Sequence, residues 1–361
     1  MGLTRRDLLK QMGAAGVLGL AAGWPRLSFA NAATDQRLVL VILRGALDGL
    51  SAVVPYGDAA YATMRGAMAF GNPGTEDGVL DLNGFHGLNP AMAPLLPFYQ
   101  AKQLAVVHAV ALPYRERSHF DAQNLLENGT VRPGGTVGWL NRSLQAMAAK
   151  PGAGIALNPQ VPLVLQGQAQ VASWAPKKRG VDEGSAYMRT LAALYAQDAM
   201  LAKPFEEGVR IQQIAEASLS KEDRMSARNA AGPEALSQAV LAAAGFLRRE
   251  DGPRVAVLEA GGWDTHARQG AATGILSTRL ADFSRALAQL PGAMGPVWDK
   301  TVTVVVTEFG RTVRINGTGG TDHGTGGVAL VMGGRVQGGK VYGSWPGLAE
   351  SKLFEDRDVM P

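Results

Sequence analysis

A polar loop between the apolar runs at 302–307 and 328–332 holds Glu308, Arg311, Asp322 and His323. An adjacent Asp-His pair offers a carboxylate and an imidazole, side-chain types that hold divalent cations where no thiolate exists. A second such pair, Asp264 and His266, stands two residues apart in Gly261-Gly262-Trp263-Asp264-Thr265-His266. Both can reach one ion if their loop is irregular. Ser118 and His119 open a segment with helical spacing, and Asp48 follows a short apolar run. Together these residues suit chemistry in which cations offset charge on a transferring group and lower the pKa of a hydroxyl or water. The chain has no cysteine, which excludes disulfides, thiolate metal sites and a cysteine nucleophile.

Convergence requires elements that bring these residues to one place. The runs at 38–43, 104–110, 254–259, 302–307 and 328–332 are short, almost wholly apolar and rich in β-branched residues. That pattern predicts strands buried on both faces, as in a parallel sheet. Strands precede Asp48, Ser118, Asp264 and Glu308 in turn, and ligands of open α/β sheets bind beyond the carboxyl ends of strands. If the strands lie side by side, the four residues meet at one edge. Each also has an ordinary reading. Asp48 is equally a turn or helix-capping residue. Ser118 is either a structural N-cap or a nucleophile beside free amides that bind a phosphoryl group. Arg311 is either a clamp for an anionic oxygen or the partner of Glu308. His108, inside a strand, reads as a packed core histidine.

The remaining pattern supplies cover. Helices are predicted over 90–100, 122–128 with a stop at Gly129, 188–201, 209–219, 235–247 and 275–290. A short strand is predicted at 161–165, and 56–87 reads as an excursion over the sheet edge. No internal repeat is present. At 361 residues, with 46% hydrophobic content, 46 glycines and 19 prolines, the chain suits one large α/β domain with many turns.

The first thirty-two residues read as a leader. Thr4-Arg5-Arg6-Asp7-Leu8-Leu9-Lys10 precedes an apolar stretch too short to span a bilayer, and small residues near Ala30 and Ala32 suit cleavage. Arg5, Arg6, Lys10 and Arg26 against Asp7 give the leader +3 of the formal +4, so the mature chain is nearly neutral at +1. No basic cluster interleaved with aromatics remains, which argues against nucleic acid as a partner. No apolar stretch beyond Ala33 is long enough for a stable membrane span.

The leader, Leu43-Arg44-Gly45-Ala46-Leu47-Asp48-Gly49-Leu50-Ser51, Ser118-His119-Phe120-Asp121-Ala122-Gln123, the Asp264 and His266 stretch, Thr307-Glu308-Phe309-Gly310-Arg311-Thr312 and Gly319-Gly320-Thr321-Asp322-His323-Gly324 together resemble an exported family, domain of unknown function 1501. That family is grouped with the alkaline phosphatase and sulfatase superfamily. The resemblance implies a twin-arginine signal over 1–32 and a single domain over 33–361. Its fold would be alkaline phosphatase-like, a large mixed, mostly parallel sheet between helical layers. It implies Asp48, His119, Asp264, His266, Glu308, Asp322 and His323 as candidate ligands of one or two divalent ions (zinc, calcium or manganese), with Ser118 and Arg311 as candidate catalytic residues. The implied activity is hydrolysis of a small phosphate or sulfate ester outside the cytoplasm, periplasmic or extracellular; the alternative is a non-catalytic exported binding or assembly protein. Implied partners are the twin-arginine export machinery and a co-encoded exported protein. Relatives usually continue past 356–361, which implies a C-terminal truncation of this sequence.

Overall fold

The computed structural model describes residues 34–149, 152–175, 186–198, 201–202, 205–206, 208–210, 212–213 and 233–361. The leader and most of the helix predicted over 209–219 lie outside the described residues.

Each predicted strand run except that at 161–165 forms a strand of one eight-stranded sheet. In chain order these are β1 (Arg37–Arg44), β2 (Val53–Val54), β3 (Leu80–Asp81), β4 (Gly87–Leu88), β5 (Leu104–Val110), β6 (Gly154–Ala156), β7 (Ala172–Ser173), β8 (Val255–Gly261), β9 (Thr301–Thr307), β10 (Gly327–Met332) and β11 (Lys340–Tyr342). The large sheet has the order β11-β5-β10-β9-β1-β8-β6-β7. Only the two pairings of β10 are antiparallel; the other five are parallel. A large mixed, mostly parallel sheet is therefore present. β2, β4 and β3 form a separate three-stranded sheet, into which the 56–87 excursion is built.

Among the described residues, the helices of eight residues or more are α1 (His119–Asn128), α2 (Trp139–Ala146), α3 (Ala186–Tyr195), α4 (Pro233–Leu247) and α5 (Ile275–Ala288). Strand side chains alternate, so both faces of the sheet take helical cover, α4 and α5 on one and α1 and α2 on the other. Val39, Val41 and Leu43 of β1 face Phe246 of α4 and Leu280, Phe283 and Leu287 of α5. Leu38, Leu40 and Ile42 face Leu140 and Leu144 of α2, with Leu126 of α1 beside them. Each such aliphatic side chain contributes about 1.5–3 kcal/mol on burial. A third core of Leu50, Val54, Tyr61, Val313, Leu348, Leu353 and Val359 lies apart from these two.

Proline chemistry corrects two local expectations. The predicted strand at 161–165 is a 3-10 turn over Leu163–Leu165. Pro162 has no N–H to give a strand partner, and the Val164 N–H donates to Glu127 Oε2 at 3.0 Å instead. The predicted helix over 90–100 divides into a 3-10 stretch, Pro90–Leu95, and an α-helical turn, Leu96–Gln100, with Pro94 and Pro97 interrupting the donor series.

Candidate metal centre

The sheet places one end of several strands together. β1, β8 and β9 are parallel and in register, Leu43 opposite Thr307 and Arg44 opposite Gly261, so their exit loops emerge side by side. β10 runs the other way, and its first residue, Gly327, lies opposite Val110 at the end of β5. The loop joining β9 to β10 and the segment after β5 therefore return to the same end. Gly45 makes one of the close approaches between these loops. Its φ is +119°, and a Cβ there would stand 2.7 Å from the Asp264 backbone nitrogen. Only glycine lets the β1 exit pack against the β8 exit.

Three of the chain's five histidines converge at this end. His323 Nε2 lies 3.0 Å from His119 Nε2 and 3.0 Å from His266 Nε2. Asp264 adds a carboxylate: its Oδ1 is 3.0 Å from His266 Nε2 and 3.3 Å from His323 Nε2, and its Oδ2 is 3.5 Å from His119 Nε2. His119, Asp264 and His323 each place one ligand atom within 4.8 Å of the other two. Ligand atoms on a tetrahedral ion with bonds of 2.0–2.1 Å stand about 3.3 Å apart, so these spacings suit a shared cation.

The opposite ring nitrogen of each histidine is held. His119 Nδ1 is 2.7 Å from Glu308 Oε1, His266 Nδ1 is 3.1 Å from Asp322 Oδ1, and His323 Nδ1 is 3.0 Å from the Arg117 carbonyl. Carboxylates and a carbonyl accept, so a proton on each Nδ1 satisfies all three contacts and turns a lone pair on Nε2 toward the cluster. Lone pairs facing one another across 3.0 Å repel unless a cation lies between them. Orientation of metal-ligating histidines through the far nitrogen is the usual support of such sites.

Glu308 is fully buried and also accepts from the Gly45 N–H at 2.8 Å, Gln123 Nε2 at 2.9 Å and Thr307 Oγ at 2.9 Å. Burial pushes its carboxyl up, but Gln123 and the other donors outweigh this and hold it below the ordinary glutamate value. Burial likewise acts to raise Asp264; the hydrogen bond and charge of Arg311 bring it below the usual range. Asp322 is lowered mainly by its hydrogen bond from Asn316. His323 is lowered by burial and by the neighbouring His119.

The geometry thus sorts the expected residues into separate roles. Asp322 and His323 are adjacent, yet the extended backbone turns their side chains apart: His323 faces the cluster while Asp322 holds His266 from behind. Arg311 takes Asp264, not Glu308, as its carboxylate partner. It is buried, bonded to Asp264, with Nε donating to Thr321 Oγ at 3.1 Å. Asp48 caps its own turn, with Leu50 and Ser51 N–H donating to it, and forms a fully buried ion pair with Arg65. Gln269 donates to Asp48 and accepts from Thr321, which accepts from Arg311. Asp48 therefore reaches the cluster only through a chain of polar groups. Burial opposes its charge, but Arg65 and Gln269 hold it below the ordinary aspartate value. Ser118 serves as the N-cap of α1, its hydroxyl 3.5 Å from the Asp121 N–H. His108 is the buried core histidine expected, bonded through Nε2 to the Val53 carbonyl at 2.9 Å.

Gln123, Gln269, Arg65 and Thr321 were not anticipated as parts of this arrangement. Gln123 was within reach of sequence reasoning, because it follows His119 by four positions and so shares its helix face. The others lie in stretches without periodicity.

The sequence matches the family described as "Protein of unknown function (DUF1501)" over residues 87–359. The chain belongs to that family. Every histidine and carboxylate of the cluster lies inside the matched span, so the geometry above belongs to the DUF1501 region itself. No curated protein matches the chain. Solved structures similar to this DUF1501 chain include Ps i-CgsB in complex with k-i-k-neocarrahexaose, at 11% identity and TM-score 0.37, covering 86% of this chain and 68% of that one. The C-terminal periplasmic domain of EcEptC from Escherichia coli, in complex with Zn, has 11% identity and TM-score 0.36, with 85% and 76% covered. Murine ectonucleotide pyrophosphatase/phosphodiesterase 5, in complex with AMP, has 10% identity and TM-score 0.28, with 76% and 57% covered.

Proposed function

We propose that this DUF1501 chain is an exported, metal-dependent hydrolase-like protein acting on a phosphate or sulfate ester. The observation that carries the reading is the meeting of three imidazole lone pairs and one carboxylate, each imidazole fixed through its far nitrogen. His119, His266, His323 and Asp264 would hold a divalent ion, with zinc favoured by the nitrogen-rich set. A bound ion would supply Lewis acidity toward an ester oxygen or a bound water. Glu308, Asp322 and the Arg117 carbonyl keep the three rings aimed, and Arg311 keeps Asp264 charged and aimed. Residues 1–32 act in this reading as a twin-arginine signal, residues 33–361 as one domain, and the chain works in the periplasm or outside the cell. Among the described residues no helix is long and apolar enough to cross a membrane.

One observation favours a second reading, a non-catalytic exported protein that binds a partner, for instance a co-encoded one. Ser118 is occupied as a helix cap, and Arg311 is committed to Asp264. Elemental analysis of the full chain, together with turnover of aryl phosphates and aryl sulfates, separates the two. The hydrolase reading expects stoichiometric divalent metal and turnover lost in the Asp322→Ala, His323→Ala double variant. Metal-free protein that takes up no zinc, calcium or manganese would refute it.

A further inference from the structure

Asp358 is fully buried, and each of its polar partners is attached to a different side of His323. Its Oδ2 accepts from Arg117 Nε at 3.0 Å and Nη2 at 2.8 Å, and from Thr325 Oγ at 2.8 Å. Its Oδ1 accepts from Arg357 Nε at 3.1 Å. Arg117 offers its carbonyl to His323 Nδ1, Arg357 Nη2 donates to the His323 carbonyl at 2.6 Å, and Thr325 lies two positions past His323. Arg117 also has φ +56°, a left-handed conformation that is strained for a non-glycine residue. Something must hold it there, and the two-pronged bond to Asp358 does so.

We infer that Asp358 is a positioning residue: it pins Arg117 so that the Arg117 carbonyl accepts a hydrogen bond from His323 Nδ1–H, which leaves the Nε2 lone pair on the cluster. Asp358 is also tied by its backbone to Thr312 and Phe354, and the next residue, Val359, is packed in the third core. Glu355 makes the contrast. It pairs with the same guanidinium from the solvent side, with about half its side chain exposed, and a surface pair contributes little. The effect on metal rests on the metal-centre reading; the effect on the ring does not.

The test uses the full chain with isotope-labelled histidine, metal-free and mildly alkaline, where ring-nitrogen NMR distinguishes the two tautomers. The parent is expected to carry the His323 proton on Nδ1. In Asp358→Asn that preference is lost, and zinc affinity by chelator competition falls about 10- to 100-fold, the range for lost ligand support. Glu355→Gln changes affinity by no more than about twofold. An Asp358→Asn protein that keeps the Nδ1 tautomer, or binds zinc as tightly as the parent, overturns the inference. If Asp358→Asn does not fold, Arg357→Gln and Thr325→Val carry the same two readouts. A parent that takes up no zinc refutes the metal centre, and the tautomer comparison then decides the role of Asp358 by itself.

Discussion

His119 and His323 point their Nε2 atoms at each other across 3.0 Å while both Nδ1 atoms are engaged as donors. Two neutral imidazoles in that arrangement lack a proton between them, so the contact gains nothing without a cation. Removing His323 takes away the ring that both other histidines face. His323→Ala is expected to lose nearly all metal measured by elemental analysis while keeping the parent's far-ultraviolet circular dichroism. Full metal content in that variant would place the ion elsewhere.

Glu308 differs from a ligand in what its loss does. It accepts four hydrogen bonds in full burial, so Glu308→Gln turns an amide NH2 toward donors and strands at least one of them. The expected cost is about 1–3 kcal/mol of stability, with zinc affinity reduced roughly tenfold through a loosened His119. Urea midpoints and chelator competition measure the two effects. A stable variant with unaltered affinity would show that His119 needs no such support.

Asp48 was read from the sequence as a candidate ligand or a cap, and its buried pairing with Arg65 leads to a stability effect in place of a metal effect. Asp48→Ala leaves a buried guanidinium without its partner, a change that costs about 3–5 kcal/mol. Metal stoichiometry of whatever remains folded should equal the parent's. Reduced metal with an unchanged denaturation midpoint would return Asp48 to the list of ligands.

His86 and His108 set an acid limit on the fold. Burial holds His86 at about 4, and His108 is likewise pushed down to about 4 by burial, against an ordinary value of 6.5. The unfolded chain binds these protons first as pH falls. Stability is therefore fully present above about 6.5 and drains away between there and about 4, by up to about 1.4 kcal/mol per pH unit for each ring. The His86 ring nitrogens have no hydrogen-bond partner among the described residues, and Trp345 packs 5.6 Å from His86 and 4.8 Å from His108 between ring centres. Acid titration followed by tryptophan fluorescence should show the loss, with a shallower limb in His86→Phe. Identical acid midpoints for the two proteins would count against this account.

How far the sequence could be read follows from what decides each feature. Five strand runs were legible because residues buried on both faces leave an unbroken apolar signal, and β6, β7 and β11 were not because two or three residues carry no period. The helix over 90–100 was misjudged where Pro94 and Pro97 outweigh apolar spacing. At the candidate site, His119, His266, His323 and Asp264 could be singled out by residue type and by their place after strands. A carboxylate that faces the cluster and one that bonds a histidine from behind look alike in sequence, so the placement of Glu308 and Asp322 behind His119 and His266 was not legible. Arg65 lies in a stretch with no pattern to link it to Asp48. Arg117 and Asp358 are 241 positions apart and meet only in the finished fold.

That separation in chain position has a kinetic side. His119 and His323 lie 204 residues apart, and His266 and His323 lie 57 apart. Loops of that length close slowly, after nearby contacts have formed. β10 must be seated between β5 and β9 before the three rings can face one another. The histidine cluster is thus expected to form late in folding, and an ion held there would stabilise the completed sheet over partly folded states that lack the cluster.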